Sequence, residues 1–177
     1  YPLTSVDTSD AGSYYCVATN SCGNDQGNGI TLTVNEPPVI ASQSGGAIRC
    51  VGQSMTFSVT ASGTAPITYQ WYGSNGLIAS ATNNTYTINS VDTSNAGTYY
   101  CVATNSCGNA QSNNISLTIN VSPTISSQSS NTTSCEGDGL TLNVTATGTT
   151  PITYQWYRNS APISNAIGNL YAVGAVD

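Results

Sequence analysis

The chain contains no histidine and no lysine, and its only basic residues are Arg49 and Arg158. Against them stand eight acidic residues, for a net charge of −6 over 177 residues. Two isolated arginines cannot support nucleic-acid binding by counterion release, and they form no basic patch for anionic lipid. Without His and Lys the usual general bases and Schiff-base nucleophiles are missing. The acids are Asp7, Asp10, Asp25, Glu36, Asp92, Glu136, Asp138 and Asp177, scattered over turns and linkers. No two of them recur at the strand spacing that a glycosidase needs. No catalytic residue is therefore assigned, no cofactor is expected, and the reading is not that of an enzyme. With no His and no C-x-x-C, no metal-ligating residue is assigned. Asp7 and Asp92 suit a turn better than calcium, which usually needs several clustered oxygen ligands. No apolar run approaches the ~18 residues of a membrane span, so no membrane insertion is expected, and no signal peptide is present. A signal or anchor beyond either end is compatible with the sequence. Low charge by itself suits disorder, but alternating apolar residues with Trp and Tyr anchors argue for a packed fold.

What the chain does have is repetition. Residues 5–24 read SVDTSDAGSYYCVATNSCGN and residues 90–109 read SVDTSNAGTYYCVATNSCGN, 85 residues apart. Trp71 and Trp156, Cys50 and Cys135, Pro38 and Pro123, and Gly52 and Gly137 keep the same spacing. Self-similarity at a fixed period marks an array of one small unit. The expected organisation is one complete copy at 37–121, flanked by two partial ones. Residues 1–36 match only the later part of the repeat and 122–177 only the earlier part, so a longer array is expected.

Helical periodicity is absent, and short alternating runs bounded by Gly, Asn, Ser or Pro dominate. In the complete copy, Pro37-Pro38 reads as a linker and the start of an edge strand. Strands are expected at 54–62, 67–72, 85–88, 98–103 and 115–119, with Asn75-Gly76 as a turn. This spacing predicts an all-β fold of tandem antiparallel β-sandwiches, and its details are immunoglobulin-like. Asp10–Cys16 fits D-x-G-x-Y-x-C, and Asn95–Cys101 repeats it with Asn for Asp. In that motif Tyr14 and Tyr99 are tyrosine corners, whose hydroxyls bond back to the backbone at the E–F turn, and Asp10 serves the same corner. Trp71 and Trp156 take the place of the core Trp of strand C. The partial copies then hold strands E-F-G (residues 1–36) and A to E (residues 122–177).

The chain also resembles the tandem Ig-like repeats of large secreted surface adhesins of Bacteroidota, including those used in gliding. The resemblance rests on the C-x-G before strand B (Cys50-Val51-Gly52 and Cys135-Glu136-Gly137), the ITYQWY strands, and the Cys-bearing turn in TNSCG. It implies a secreted, nonenzymatic, cell-surface array. The N-x-S/T sequons at Asn83, Asn114, Asn120, Asn131 and Asn143 suggest glycosylation in a eukaryotic chain and are expected by chance in an Asn-, Ser- and Thr-rich bacterial one.

In antibody-type domains the strand-F Cys pairs with a Cys on strand B. Here Val59 and Val144 occupy the partner positions, so that disulfide is missing. Cys16 and Cys101 are expected to be buried free thiols near the core Trp. Cys50 and Cys107 fall at opposite poles of one sandwich, on the order of 30 Å apart at ~3.3 Å per strand residue. A disulfide needs Cα atoms within about 7 Å. Cys50, Cys107, Cys22 and Cys135 are therefore expected to bridge successive repeats, with partners outside this sequence. An intradomain Cys50–Cys107 bond in a distorted fold is the alternative.

All eleven tyrosines fall in repeat register, so the aromatics read as core and strand packing, with Tyr72 and Tyr157 the best exceptions for a glycan platform. The functional expectation is an extracellular structural segment, a stalk or filament shaft of a long adhesin. Its expected partners are neighbouring repeats and, by lateral or head-to-tail contact, further copies. Two alternatives stand beside it: a ligand-binding adhesin module that recognises glycan or protein through loops, and an accessory domain of a secreted hydrolase.

Overall fold

A computed structural model describes residues 5–174. The strands in the first stretch are β1 (Gly12–Tyr14), β2 (Val17–Asn20), β3 (Gly23–Gln26) and β4 (Ile30–Leu32). Next come β5 (Val39–Gln43), β6 (Ala47–Cys50), β7 (Met55–Ser62), β8 (Thr68–Gly73), β9 (Gly76–Leu77), β10 (Thr85–Ile88), β11 (Gly97–Asn105), β12 (Gly108–Gln111) and β13 (Ile115–Asn120). The last stretch holds β14 (Thr124–Gln128), β15 (Leu140–Thr147), β16 (Tyr157–Arg158), β17 (Ala161–Pro162) and β18 (Leu170–Val173). The only helical turns among the described residues are the 3-10 turns Thr8–Asp10 and Thr93–Asn95, one repeat apart.

The chain forms two compact units. One comprises the chain up to Gly46 with Thr56–Ile88 and Gly97–Leu117, and the other comprises Ala47–Met55, Asn89–Ala96 and the chain from Thr118 onward.

In the first unit a three-stranded sheet, ordered β10-β7-β5, faces the sheet that runs β13-β11-β8-β9. Antiparallel strands bury alternate residues when one face is covered. On β7, Phe57 and Val59 are buried while Thr56 and Thr60 are exposed; on β11, Tyr99, Cys101 and Ala103 point inward. Phe57 joins the two sheets: its ring lies 4.3 Å from Tyr99 and 6.0 Å from Trp71, centroid to centroid. Trp71 is fully buried, and its indole N–H donates to the Asn83 carbonyl at 2.9 Å, which satisfies the polar end of the ring. Ser112, the one buried polar side chain among the described residues, accepts from the Cys101 N–H at 2.9 Å. The earlier part of this unit adds two antiparallel pairs, β1 with β4 and β2 with β3.

In the second unit β14, β15 and β18 form a sheet and β16–β17 a short hairpin. Its pairings repeat the complete copy. The register shift between Ile40 and Ser42 on β5 recurs between Ile125 and Ser127 on β14. The Trp156 indole donates to the Gly168 carbonyl at 2.9 Å, 85 residues after the Trp71 bond.

The five expected strands all form, with ends moved by at most two residues. β5 is the edge strand expected after Pro37-Pro38, and three elements of the complete copy were not anticipated as strands: β6, β9 and β12. Of the two expected buried thiols, Cys101 is fully buried and Cys16 is exposed. The difference has a direct cause. Cys101 lies opposite Trp71 of β8, in the sheet whose Tyr99 packs against Phe57 of β7, and no described strand equivalent to β7 or β8 accompanies Cys16. For the same reason Tyr14 is 48% exposed where Tyr99 is 7% exposed. Trp156 is only half-buried, because the last stretch stops before the counterpart of β11.

Candidate functional site

No cluster of three or more Cys, Asp or Glu side chains able to hold a metal occurs among the described residues. The recurring constructions are turns, and two sets of them converge on the segments that precede β5 and β14.

In the first unit, Glu36 and Thr64 exchange hydrogen bonds. The Glu36 N–H donates to Thr64 Oγ1 at 2.8 Å, and the Thr64 N–H returns to the Glu36 carbonyl at 3.1 Å. Asn105, at the end of β11, closes the ring. Its Nδ2 donates to the Glu36 carbonyl at 2.7 Å and to the Thr64 carbonyl at 2.9 Å. Its Oδ1 meanwhile accepts the Cys107 N–H at 2.9 Å, so one carboxamide ties the β11–β12 turn to the linker. Gly63 makes the approach possible. A Cβ there would lie 2.7 Å from the Pro37 carbonyl oxygen, and the residue sits at φ +132°, which disfavours any side chain.

The second unit repeats the arrangement one period later. The Val121 N–H donates to Thr149 Oγ1 at 2.8 Å and the Thr149 N–H to the Val121 carbonyl at 2.9 Å. Gly148, at φ +145°, lies where a Cβ would meet Pro123 Cα and the Ser122 carbonyl oxygen at 3.0 Å. Glu36 and Val121 differ in side chain, but only their backbone is used.

The Cys50 turn gathers other ends. The Cys50 N–H donates to Gln53 Oε1 at 2.8 Å. The Val51 N–H donates to the Asn120 carbonyl at 3.0 Å and the Gly52 N–H to the Val91 carbonyl at 2.8 Å. The Cys135 turn closes in the same way with Asp138 in place of Gln53, the Cys135 N–H donating to Oδ2 at 3.2 Å. All six cysteines are free thiols, and Cys50 and Cys107 are not bonded to each other. Cys22, Cys50, Cys107 and Cys135 are exposed. Burial pushes the Cys101 thiol up to about 11, so it stays protonated and unreactive.

The Asp of the E–F turn serves as a cap. Asp92 Oδ1 accepts from both the Ser94 hydroxyl and the Ser94 N–H, with the hydroxyl bond the larger cause of a carboxyl held below its usual range. Asp7 does the same with Ser9. Beside it the Tyr14 hydroxyl donates to the Asp10 carbonyl, the bond expected of a tyrosine corner. Tyr72, singled out as an exposed aromatic, stacks on Tyr100 at 4.9 Å and 5° between planes. The two residues are cross-strand partners, so strand pairing occupies one face of each ring. Tyr157 is 62% exposed.

The sequence reading missed Asn105, Thr64 and Gly63, although all three stand in repeated words: TNSCG for Asn105, and Gly-Thr before Pro for the others. It also missed Gln70, whose Nε2 donates to the Trp71 and Ile78 carbonyls, as Gln155 does to Trp156 and Ile163.

Comparison with known proteins bears on this geometry. The immunoglobulin domain family matches residues 37–105. The cell adhesion molecule-related/down-regulated by oncogenes protein of Xenopus laevis is 30% identical over 170 residues, covering 92% of this chain and 14% of its own length. Hemicentin-1 of Mus musculus is 29% identical, covering 89% of this chain and 3% of its own length. Lachesin of Drosophila melanogaster is 30% identical over 129 residues, covering 70% and 36%. The chain thus spans well under half of each curated relative. Among solved structures, a three-Ig fragment of titin superposes with a TM-score of 0.69 at 21% identity, over 94% of this chain and 64% of that one. The immunoglobulin domains 1–5 of Sidekick-1 superpose with a TM-score of 0.53 at 22% identity, over 89% and 37%. With an immunoglobulin domain at 37–105 and this likeness to multi-Ig chains, the protein has the all-β fold of tandem immunoglobulin-like antiparallel sandwiches.

Proposed function

We propose that this segment is a structural spacer, the stalk or shaft of a long secreted cell-surface adhesin of bacterial type, with repeats at 1–36, 37–121 and 122–177 set head to tail. The observation that carries the reading is the doubled linker lock. The same Gly-Thr pair grips the backbone before β5 and before β14 through two hydrogen bonds at each place. A unit whose purpose is extension needs stiff joints, because a flexible chain grows in length only as about the square root of residue number. Relatives described as cell adhesion molecules support the adhesive setting. The test is small-angle X-ray scattering on arrays of two, three and four copies of the 85-residue repeat. A spacer gives a maximum dimension that rises by a constant increment per copy. Growth with the square root of copy number overturns the reading.

A ligand-binding module is the second reading, favoured by one observation, the half-exposed Tyr72–Tyr100 pair on an outward sheet face. Binding of the isolated chain to a glycan array, lost in Tyr72→Ala, supports it. No binding above background leaves the spacer reading as the function.

A further inference from the structure

Four exposed thiols recur in register, two in the turn after β6 and its counterpart, two in the β11–β12 turn and its counterpart. An exposed thiol has no packing role to explain its place, and two of these turns, those of Cys107 and Cys50, are tied to linkers. The Cys107 turn is held by Asn105 to Glu36 and Thr64, at the start of a repeat. The Cys50 turn is held by the Val51 N–H to Asn120, at the end of a repeat. Asn120 is followed directly by Val121, whose exchange with Thr149 reproduces that of Glu36 with Thr64. By the same pattern, a β11–β12 turn in the repeat that follows Val121 would be tied to Val121 and Thr149 as the Cys107 turn is tied to Glu36 and Thr64. Its thiol and that of Cys50 flank the same two linker residues, 120 and 121.

We infer that the array is cross-linked at each joint by a disulfide between the Cys50-type thiol of one repeat and the Cys107-type thiol of the next. The inference rests on the head-to-tail reading and adds a covalent bond to it. Formation is a thiol–disulfide exchange with a disulfide oxidant. One thiolate attacks the oxidant to give a mixed disulfide and release one thiol. The second thiolate then displaces the other thiol and closes the S–S bond. Two protons leave the cysteines, and two electrons reduce the oxidant. Within residues 1–177 every such partner lies outside the sequence.

The test uses the chain as it stands and the same chain extended after Asp177 by a copy of its own residues 93–121. In the 85-residue register that addition completes the third repeat and supplies a third Cys107-type turn. Both are incubated with oxidised glutathione, alkylated, digested with pepsin and mapped by mass spectrometry. The expected result is a bond from Cys50 to the appended Cys in the extended chain only, lost in Cys50→Ser and retained in Cys107→Ser. An intact, folded extended chain in which Cys50 is fully alkylated overturns the inference, as does a Cys50–Cys107 bond in either chain. The scattering increments distinguish the two claims: a constant increment without the cross-link defeats the disulfide and leaves the spacer standing.

Discussion

Replacing Asn105 by alanine removes three hydrogen bonds at once: two from Nδ2 to the Glu36 and Thr64 carbonyls at 2.7 and 2.9 Å, and one from the Cys107 N–H to Oδ1 at 2.9 Å. A typical hydrogen bond contributes about 1 kcal/mol net, and groups that water can reach after the change recover part of that. Asn105 is half-buried, so water reaches some of the orphaned groups, and the expected loss is about 1–2 kcal/mol. For a domain of this size that lowers Tm by roughly 5–12 °C. The assay is urea and thermal unfolding followed by Trp71 fluorescence in a Trp156→Phe background, so that one tryptophan reports. Two controls sharpen it. Asn109→Ala, an exposed position on the same hairpin, stays within about 0.5 kcal/mol. Asn105→Asp keeps the acceptor for Cys107 but sets a carboxylate against two carbonyl oxygens, so it is at least as damaging as alanine. An Asn105→Asp variant as stable as the parent refutes the assignment of the carboxamide as a donor to the linker.

Three further outcomes follow from burial and charge. Trp71→Ala empties a fully buried site and costs about 3–5 kcal/mol; Trp156→Ala, at a half-buried site, costs distinctly less, and urea midpoints of the two variants decide. Titration with an aromatic disulfide reagent at pH 8 finds five thiols reacting in the native chain and the sixth, Cys101, only after unfolding, because it alone is buried. Cys101 keeps its proton in the folded state up to about 11, well above the ordinary thiol range, and the unfolded thiol ionises first. Its contribution to stability is therefore complete below pH 9 and is lost as pH rises from 9 to 11; Cys101→Val, compared with the parent in urea at pH 8 and pH 10.5, shows the shallower alkaline decline.

The parts of this fold legible in the sequence were those written in one short window. Alternation in 54–62 and 98–103 revealed β7 and β11, the D-x-G-x-Y-x-C word revealed the E–F corner, and Val59 at the partner position showed that Cys101 has no strand-B disulfide. β5 was legible only as the edge-strand start after Pro37-Pro38, because a register shift interrupts it at Ile40/Ser42, and β6 was missed because its apolar Ile48 faces solvent while Arg49 is half-buried. The exposure of Cys16 followed from neighbours, not from its own residue type. The linker lock was illegible for a different reason. Asn105 bonds to the backbone of a residue 69 positions earlier, and hydrogen bonds to main-chain atoms leave no mark on the identity of the partner, as the exchange of Glu36 for Val121 shows.

The central claim is that the backbone before each sandwich is locked to it. Amide order parameters from nitrogen relaxation test this directly at Glu36 and Val121, each gripped by two hydrogen bonds to a threonine. Values of about 0.85, equal to those of the strands, are the predicted result; values below about 0.6 at both residues, the range of a flexible tether, contradict it.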